Sequence, residues 1–194
     1  MYDIIPRKDS IILATIDVLD ELGIQGLTIN EIARKVGISE GAIYKHYKSK
    51  SALIGAVIDH FSMFDIEIRQ TVEMKGMSPR EAIFFAINTY ASYYESYPAI
   101  TALNEILNEL TYDVELSGKV KNLYLGRIDF LKNLATRAQD KGEFNVAFDS
   151  TNLADVIMGL FKAICLRWRF LDKGFSLSDE TSKTLNMVLD SFSK

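Results

Sequence analysis

Apolar residues recur along this chain at intervals of three and four rather than two, which is the period of a helix face and not of a strand. Ile12, Ile16 and Leu19 lie beside Ile11, Val18 and Leu22 in one broad stripe, so a first helix is expected from Arg7 to Leu22. Gly23 suits the left-handed residue that ends it. Thr28 with Glu31 three residues on predicts a capping box, and Ile29, Ile32, Ala33 and Val36 mark the buried face of a short second helix that Gly37 stops. Ser39 is placed to cap a third helix over Glu40 to His46. Ser49 is placed to cap a long fourth whose stripe is Leu53, Val57, Phe61, Phe64 and Ile68.

After a break at Lys75-Gly76-Met77, the tetrapeptide Ser78-Pro79-Arg80-Glu81 combines a serine cap, a first-turn proline and a glutamate three residues after the cap. Further helices are expected at 79–96, 98–110, 114–141, 151–172 and 179–193, with Pro98, Gly142, Gly174 and the caps Asp149 and Ser178 as punctuation. The reading is an all-α chain of about nine helices. Only 11 glycines and 3 prolines occur in 194 residues, where an average chain carries roughly 12% of the two together. That scarcity argues against a sandwich or barrel built from many tight turns.

Composition removes several classes of function. The most apolar late stretch, Leu153 to Leu171, is interrupted by Asp155, Lys162, Arg167 and Arg169, so no membrane span is expected. The start, Met1-Tyr2-Asp3-Ile4-Ile5-Pro6, lacks the basic-then-apolar order of a secretory leader, and a single cysteine, Cys165, cannot form an internal disulfide; a cytoplasmic protein is expected. An enzyme is poorly supplied. There are two histidines, His46 and His60, no clustered metal ligands and no nucleophile motif, so no catalytic residues, metal or cofactor are expected.

Chemistry concentrates between Thr28 and Lys50, where two short helices meet at Gly37-Ile38 and the small residues Ala33 and Ala42 allow the steep crossing of a helix-turn-helix. The two-turn second helix exposes Tyr44, Lys45 and His46 and buries Ile43 and Tyr47. A helix of that size fits the DNA major groove. The alternative is a solvated lysine-rich face around a helical hairpin. The net charge of −4, averaged over the chain, disfavours a phosphate partner, but Thr28 to Lys50 holds five basic side chains (Arg34, Lys35, Lys45, Lys48, Lys50) against Glu31 and Glu40. The attraction is local.

The run T-I-N-E-I-A-R-K-V-G-I-S-E-G-A-I-Y-K-H-Y-K-S-K-S-A-L resembles the signature of the TetR/AcrR family of bacterial transcriptional regulators, with Tyr47 where phenylalanine is commoner. The motif covers roughly residues 7–57. The resemblance implies a helix-turn-helix DNA-binding domain over 1–52 and a helical effector-binding and dimerisation domain over 53–194. It further implies phosphate contacts from Thr28, Tyr44 and Lys50, and a groove-facing set of Ser39, Glu40, Gly41, Ala42, Lys45 and His46. Lys45 is the candidate reader of guanine, since an ammonium can donate to O6 and N7. For His46 a bond to phosphate or backbone stands equally open, and Glu40 could instead serve the positive end of its own helix.

One two-turn helix reads too few bases for genomic specificity, so a palindromic operator on double-stranded DNA and a homodimer are expected. Two late stripes are candidates for the dimer seam: Leu153, Val156, Ile157, Leu160 and Ile164, and Leu185, Val188, Leu189 and Phe192. Spacing alone does not separate seam from core. The resemblance favours the seam. It also implies a ligand chamber among the middle helices, with candidate lining from Phe61, Phe64, Phe84, Tyr90, Tyr93, Tyr94, Tyr97, Glu105, Asn108, Phe161 and Trp168. The effector expected there is small and hydrophobic with one or two polar handles, and Arg127 or Arg167 is placed to meet an anionic one. The function expected is a repressor released from its operator by that ligand. The alternative is a helical carrier of hydrophobic molecules, or a protein-interaction adaptor, without a DNA-binding role.

Overall fold

The computed structural model describes residues 6–193, and for Glu105 the backbone alone. Among the described residues it is helical throughout: α1 (Arg7–Gly26), α2 (Ile29–Val36), α3 (Glu40–His46), α4 (Lys50–Met74), α5 (Pro79–Ser96), a 3-10 turn (Pro98–Thr101), α6 (Ala102–Leu110), α7 (Ser117–Asp140), α8 (Ser150–Phe170) and α9 (Leu177–Phe192). The all-α expectation holds. No described helix is long and apolar enough to cross a membrane.

Start and stop chemistry accounts for most helix ends, with four instructive departures. Thr28 Oγ1 accepts from the Glu31 N–H at 3.1 Å, but the reciprocal half of the expected box is absent because the Glu31 carboxylate turns to Arg34 at 2.6 Å. The full box occurs at Ser78 and Glu81, with Pro79 opening the helix. Helix α7 begins at Ser117 rather than Val114, since the Asp113 carboxylate accepts from the N–H groups of Glu115 and Leu116 at 2.8 and 2.9 Å and holds a turn there. Gly23, at φ 65°, kinks α1 and one further turn follows it.

Packing divides the chain into two compact units, one of Met1–Met63 with Pro98–Leu123, the other of Phe64–Tyr97 with Tyr124–Lys194. Helices α4 and α7 each contribute to both. In the first unit α1 packs on α2, on the 3-10 turn and on α6, burying Ile11, Ala14 and Ile16. In the second, α9 packs on α5 and α8 through Leu177, Leu185 and Leu189.

The fourth departure is the start of α9. Ser176, not Ser178, caps this helix, accepting from the Asp179 N–H at 3.1 Å. Ser178 lies inside the first turn, where its hydroxyl and N–H, with the N–H of Leu177, donate to the carboxylate of Glu95 at the end of α5. A carboxylate on free N–H groups at a helix start is favourable on both hydrogen-bonding and dipole grounds. Burial opposes the charge, but the bonds from Ser178 and Leu177 outweigh it and hold Glu95 below the usual glutamate range. Because the folded value is depressed, this contribution is complete above the unfolded pKa of about 4.3 and is lost as pH falls through the folded value. Glu95→Gln is expected to lower the melting temperature at pH 7 by about 3–6 °C, with the gap closing below about pH 4. Thermal melts of both proteins from pH 3 to 7 check this, and a gap that does not change with pH contradicts it.

Candidate nucleic-acid interface

Helices α2 and α3 are joined by a turn that depends on Gly37. Its φ of 78° lies in the left-handed region, where a side chain is strained, and the turn is closed by the N–H groups of Gly37 and Ile38, both donating to the Ala33 carbonyl at 2.9 and 3.0 Å. Ser39 then caps α3, its hydroxyl accepting from the Ala42 N–H at 3.2 Å. Three contacts hold this short helix. Ile43 is fully buried, the Tyr47 hydroxyl donates to the Lys8 carbonyl at 3.4 Å, and the Asn30 amide donates to Glu40 at 2.8 Å, tying the first turn of α3 to α2. Burial, with the charge of Asp9 adding to it, pushes the Tyr47 phenol up to about 12.

The outward surface of α3 carries the residues the sequence singles out. Ser39, Glu40, Gly41, Tyr44, Lys45 and His46 are exposed, Ala42 is half-buried, and Thr28 is exposed at the start of α2. Glu40 is engaged by Asn30, which adds an inter-helix tie to its place at the helix start. Arg34 pairs with Glu31 and Lys35 with Glu21, so much of the basic charge of α2 is neutralised locally. Lys45 and His46 form no ion pair among the described residues, and the local positive field therefore centres on α3. Lys50, half-buried at the head of α4, donates to the Ile24 carbonyl at 3.2 Å and so braces the end of α1 while keeping two further donors.

The late apolar stripes resolve differently. Leu153, Ile157, Ile164, Leu185, Leu189 and Phe192 are buried within the second unit, where they are core; Val156 is exposed, and Leu160 and Val188 are half-buried. The outward face of α8 is apolar as well: Val156, Gly159, Ala163, Leu166 and Phe170 follow one another at helical spacing, and Phe170 is 77% exposed. The sequence carried this second stripe in plain view, but the buried one masked it. Cys165 lies on the buried face, which pushes its thiol up to about 12 and makes it a poor nucleophile.

The aromatic residues expected to line a chamber fall into several places. Phe64, Tyr90, Tyr93, Tyr94 and Phe161 form one ring cluster in the second unit, with centroids 4.5–6.4 Å apart. Phe84 lines a shallow groove of about 350 Å³ on α5 with Phe85, Asn88, Thr89 and Ser92. Trp168 is buried with its indole N–H on the Phe175 carbonyl at 2.8 Å, and Tyr97 is half-buried. Phe61 is buried and Asn108 exposed in the first unit. The Glu105 side chain lies outside the described residues. Of the two arginines, Arg167 is tied at the surface to Glu180 at 2.5 Å, whereas Arg127 is buried beside the ring cluster.

Arg127 meets Asp65, which the sequence reading missed. Its Nε and Nη2 donate to the carboxylate at 2.7 and 2.9 Å, the Tyr90 hydroxyl donates to the same group at 2.7 Å, and the guanidinium lies 4.8 Å from the Tyr90 ring centroid. Burial disfavours the Arg127 charge, but the paired Asp65 carboxylate outweighs that penalty and keeps it protonated. The available signal was position: Asp65 follows Phe61 by four residues and precedes Ile68 by three, a carboxylate within the apolar stripe of α4.

Residues 11–57 match the family described as bacterial regulatory proteins, tetR family. Over nearly its whole length the chain is similar to the HTH-type transcriptional repressor BepR of Brucella suis biovar 1, at 24% identity over 192 residues, 95% of this chain and 90% of the relative. It is also similar to the fatty acid metabolism regulator protein of Bacillus subtilis, at 21% identity over 186 residues, 95% and 94% of the two chains. Among solved structures the fold is similar to the transcriptional regulator FadR from Bacillus subtilis in complex with stearoyl-CoA, with a TM-score of 0.80 at 20% identity over 93% of this chain and 97% of that one. The fatty acid degradation regulator FadR from Bacillus halodurans superposes with a TM-score of 0.83 at 20% identity, over 95% of each chain. Residues 11–57, which contain the capped α2–turn–α3 unit, thus carry the N-terminal domain of the bacterial tetR-family regulatory proteins, and the all-helical remainder has the fold of the solved regulators.

Proposed function

We propose that this protein is a homodimeric, sequence-specific DNA-binding regulator, a repressor released from a palindromic operator by a small hydrophobic ligand. Residues 1–52 are its reading head and 53–194 its effector and dimerisation domain. The observation that carries this reading is α3: a rigidly clamped helix of seven residues whose outward side chains include Tyr44, Lys45 and His46, with no acidic partner for Lys45 or His46 among the described residues. Such a helix enters a major groove, where Lys45 meets a guanine edge while Thr28, Tyr44 and Lys50 meet phosphates. The operator places its site of action in the cytoplasm.

The outward stripe of α8 supports the dimer. Gly159 sits at the centre of that stripe, and a Cβ added there would meet nothing within 4 Å, so nothing in its own chain calls for a residue that costs a helix about 1 kcal/mol relative to alanine. A second copy packed against α8 supplies the reason, because Gly159 and Ala163 let two helices approach closely. The ring cluster around Tyr90 and the kinship to a fatty acid metabolism regulator support an acyl-chain effector. Coupling to the head has two available carriers: α4, continuous from Lys50 to Met74, and α6, on which α1 rests.

Mobility shift of the DNA flanking its own gene at two salt concentrations is the direct test, and failure to bind it, or any double-stranded DNA in preference to a scrambled sequence, sinks the proposal. Lys45→Ala is expected to relax sequence preference by about 1–3 kcal/mol at one base pair, whereas Lys50→Ala weakens all sequences alike and lowers the salt slope by about one. Lys50→Ala also lowers the melting temperature, through the bond to Ile24 that it removes. The double variant Val156→Glu, Leu166→Glu, at exposed positions, is expected to sediment as a monomer at micromolar concentration where the native chain sediments as a dimer. A native monomer contradicts the seam.

A further inference from the structure

Of the outward residues of α3, Glu40 alone is acidic. A carboxylate turned toward a polyanion lowers affinity for every sequence, so its place on this surface calls for a compensating contact. Its setting is defined. From the first turn of α2 the Asn30 amide donates to Oε1 at 2.8 Å, while the other oxygen, Oε2, takes no hydrogen bond or ion pair among the described residues. The neighbours of Glu40 in the first turn of α3 are small. Gly41 has no side chain, and a Cβ at that position would meet only Ser39 Oγ, at 3.9 Å, so nothing within the chain calls for glycine there. Ala42 is half-buried. Glu40 is therefore the one side chain of this turn with the length to reach a base edge, and Gly41 leaves the turn free to approach one closely.

A fixed carboxylate with one open oxygen is an acceptor in search of a donor. The major groove offers two kinds, the amino group of cytosine and that of adenine. They are not equivalent to an anion. The adenine amino group lies between two acceptors, its own N7 and O4 of the paired thymine, whereas the cytosine amino group has an acceptor, guanine O6, on one side alone. We infer that Glu40 reads a cytosine through its N4 amino group, and that Asn30 is the positioning residue that aims it. The inference rests on the DNA-binding reading above and adds a base-reading side chain of opposite charge to Lys45, at the other end of the helix. The tie to Asn30 makes the outcome of a single substitution distinctive. In Glu40→Gln the amide oxygen still accepts from Asn30 and the NH2 group takes the outward place of Oε2, so an acceptor is exchanged for a donor. The preferred base then changes from one that offers an amino group to one that offers an acceptor, guanine or thymine. A carboxylate that served only to clamp α3, or to meet the positive end of the helix, gives no such exchange.

Selection of the full-length protein on a randomised DNA duplex library, read by sequencing, tests this with the native protein, Glu40→Gln and Asn30→Ala. The native motif is expected to contain one C·G pair in each half-site at which any other pair lowers affinity by about five- to 150-fold. In Glu40→Gln that position alone is expected to change, to guanine or thymine on the strand that carried cytosine, with the position read by Lys45 unaltered. Asn30→Ala is expected to flatten the preference at the same pair and at no other, whereas a merely stabilising role for Asn30 would weaken binding to all sequences alike. A native motif that Glu40→Gln leaves untouched, or whose positions all weaken together in that variant, overturns the inference and leaves the DNA-binding reading standing. A change to adenine in Glu40→Gln overturns the role of Asn30, since a freely turning amide bonds both N6 and N7 of that base. A native protein that enriches no motif overturns the inference and the DNA-binding reading together.

Discussion

Seven residues of helix cannot persist alone in water, since nucleation consumes more conformational entropy than two turns of hydrogen bonds return. Helix α3 is such a helix, so its existence depends on the clamp around it: Ile43 in the core, Tyr47 on the Lys8 carbonyl, Glu40 on Asn30, and the left-handed turn at Gly37 that aims the chain into it. Each of these ties runs to α1, α2 or the connecting turn. Tyr44, Lys45 and His46 take no part in these ties, so their identities are free of the need to hold the helix.

Charge is organised around the same requirement. The chain as a whole is acidic, and within the head Arg34 and Lys35 are matched by Glu31 and Glu21, leaving the uncompensated cations near α3 and the start of α4. Lys50 has a double role, since its contact with the Ile24 carbonyl fastens α4 to the end of α1 at the point where α4 starts. In the second unit the positive charge has another destination. Arg127 stands buried beside the ring cluster and is tethered to α4 through Asp65.

Helix number and most of the punctuation were legible in the residues, because capping and termination are local chemistry. Ser39, Ser49, Ser78 and Asp149 bond the N–H groups that their spacing implies. Where local chemistry offered two solutions the spacing did not discriminate. Glu31 could close a box or pair with Arg34 and took the arginine; Ser178 could cap α9 but met Glu95, a residue 83 positions away in sequence. The candidate recognition residues were readable for the same local reason, since on a two-turn helix the positions between Ile43 and Tyr47 have nowhere to point but outward.

Sequence alone determined the all-helical class, the helix-turn-helix and the exposed identity of Tyr44, Lys45 and His46, for these follow from periodicity and neighbours within a few residues. Tertiary structure decided which apolar stripe of α8 is core and which is free, since both have helical spacing and only the packing of the second unit buries Ile157 and Ile164 while leaving Val156 and Phe170 in solvent. It also decided that Asp65, Tyr90 and Arg127 form one group. Their separations of 25 and 62 residues lie beyond any periodic signal, and a charge in an apolar stripe reveals its partner only when another helix is laid against it.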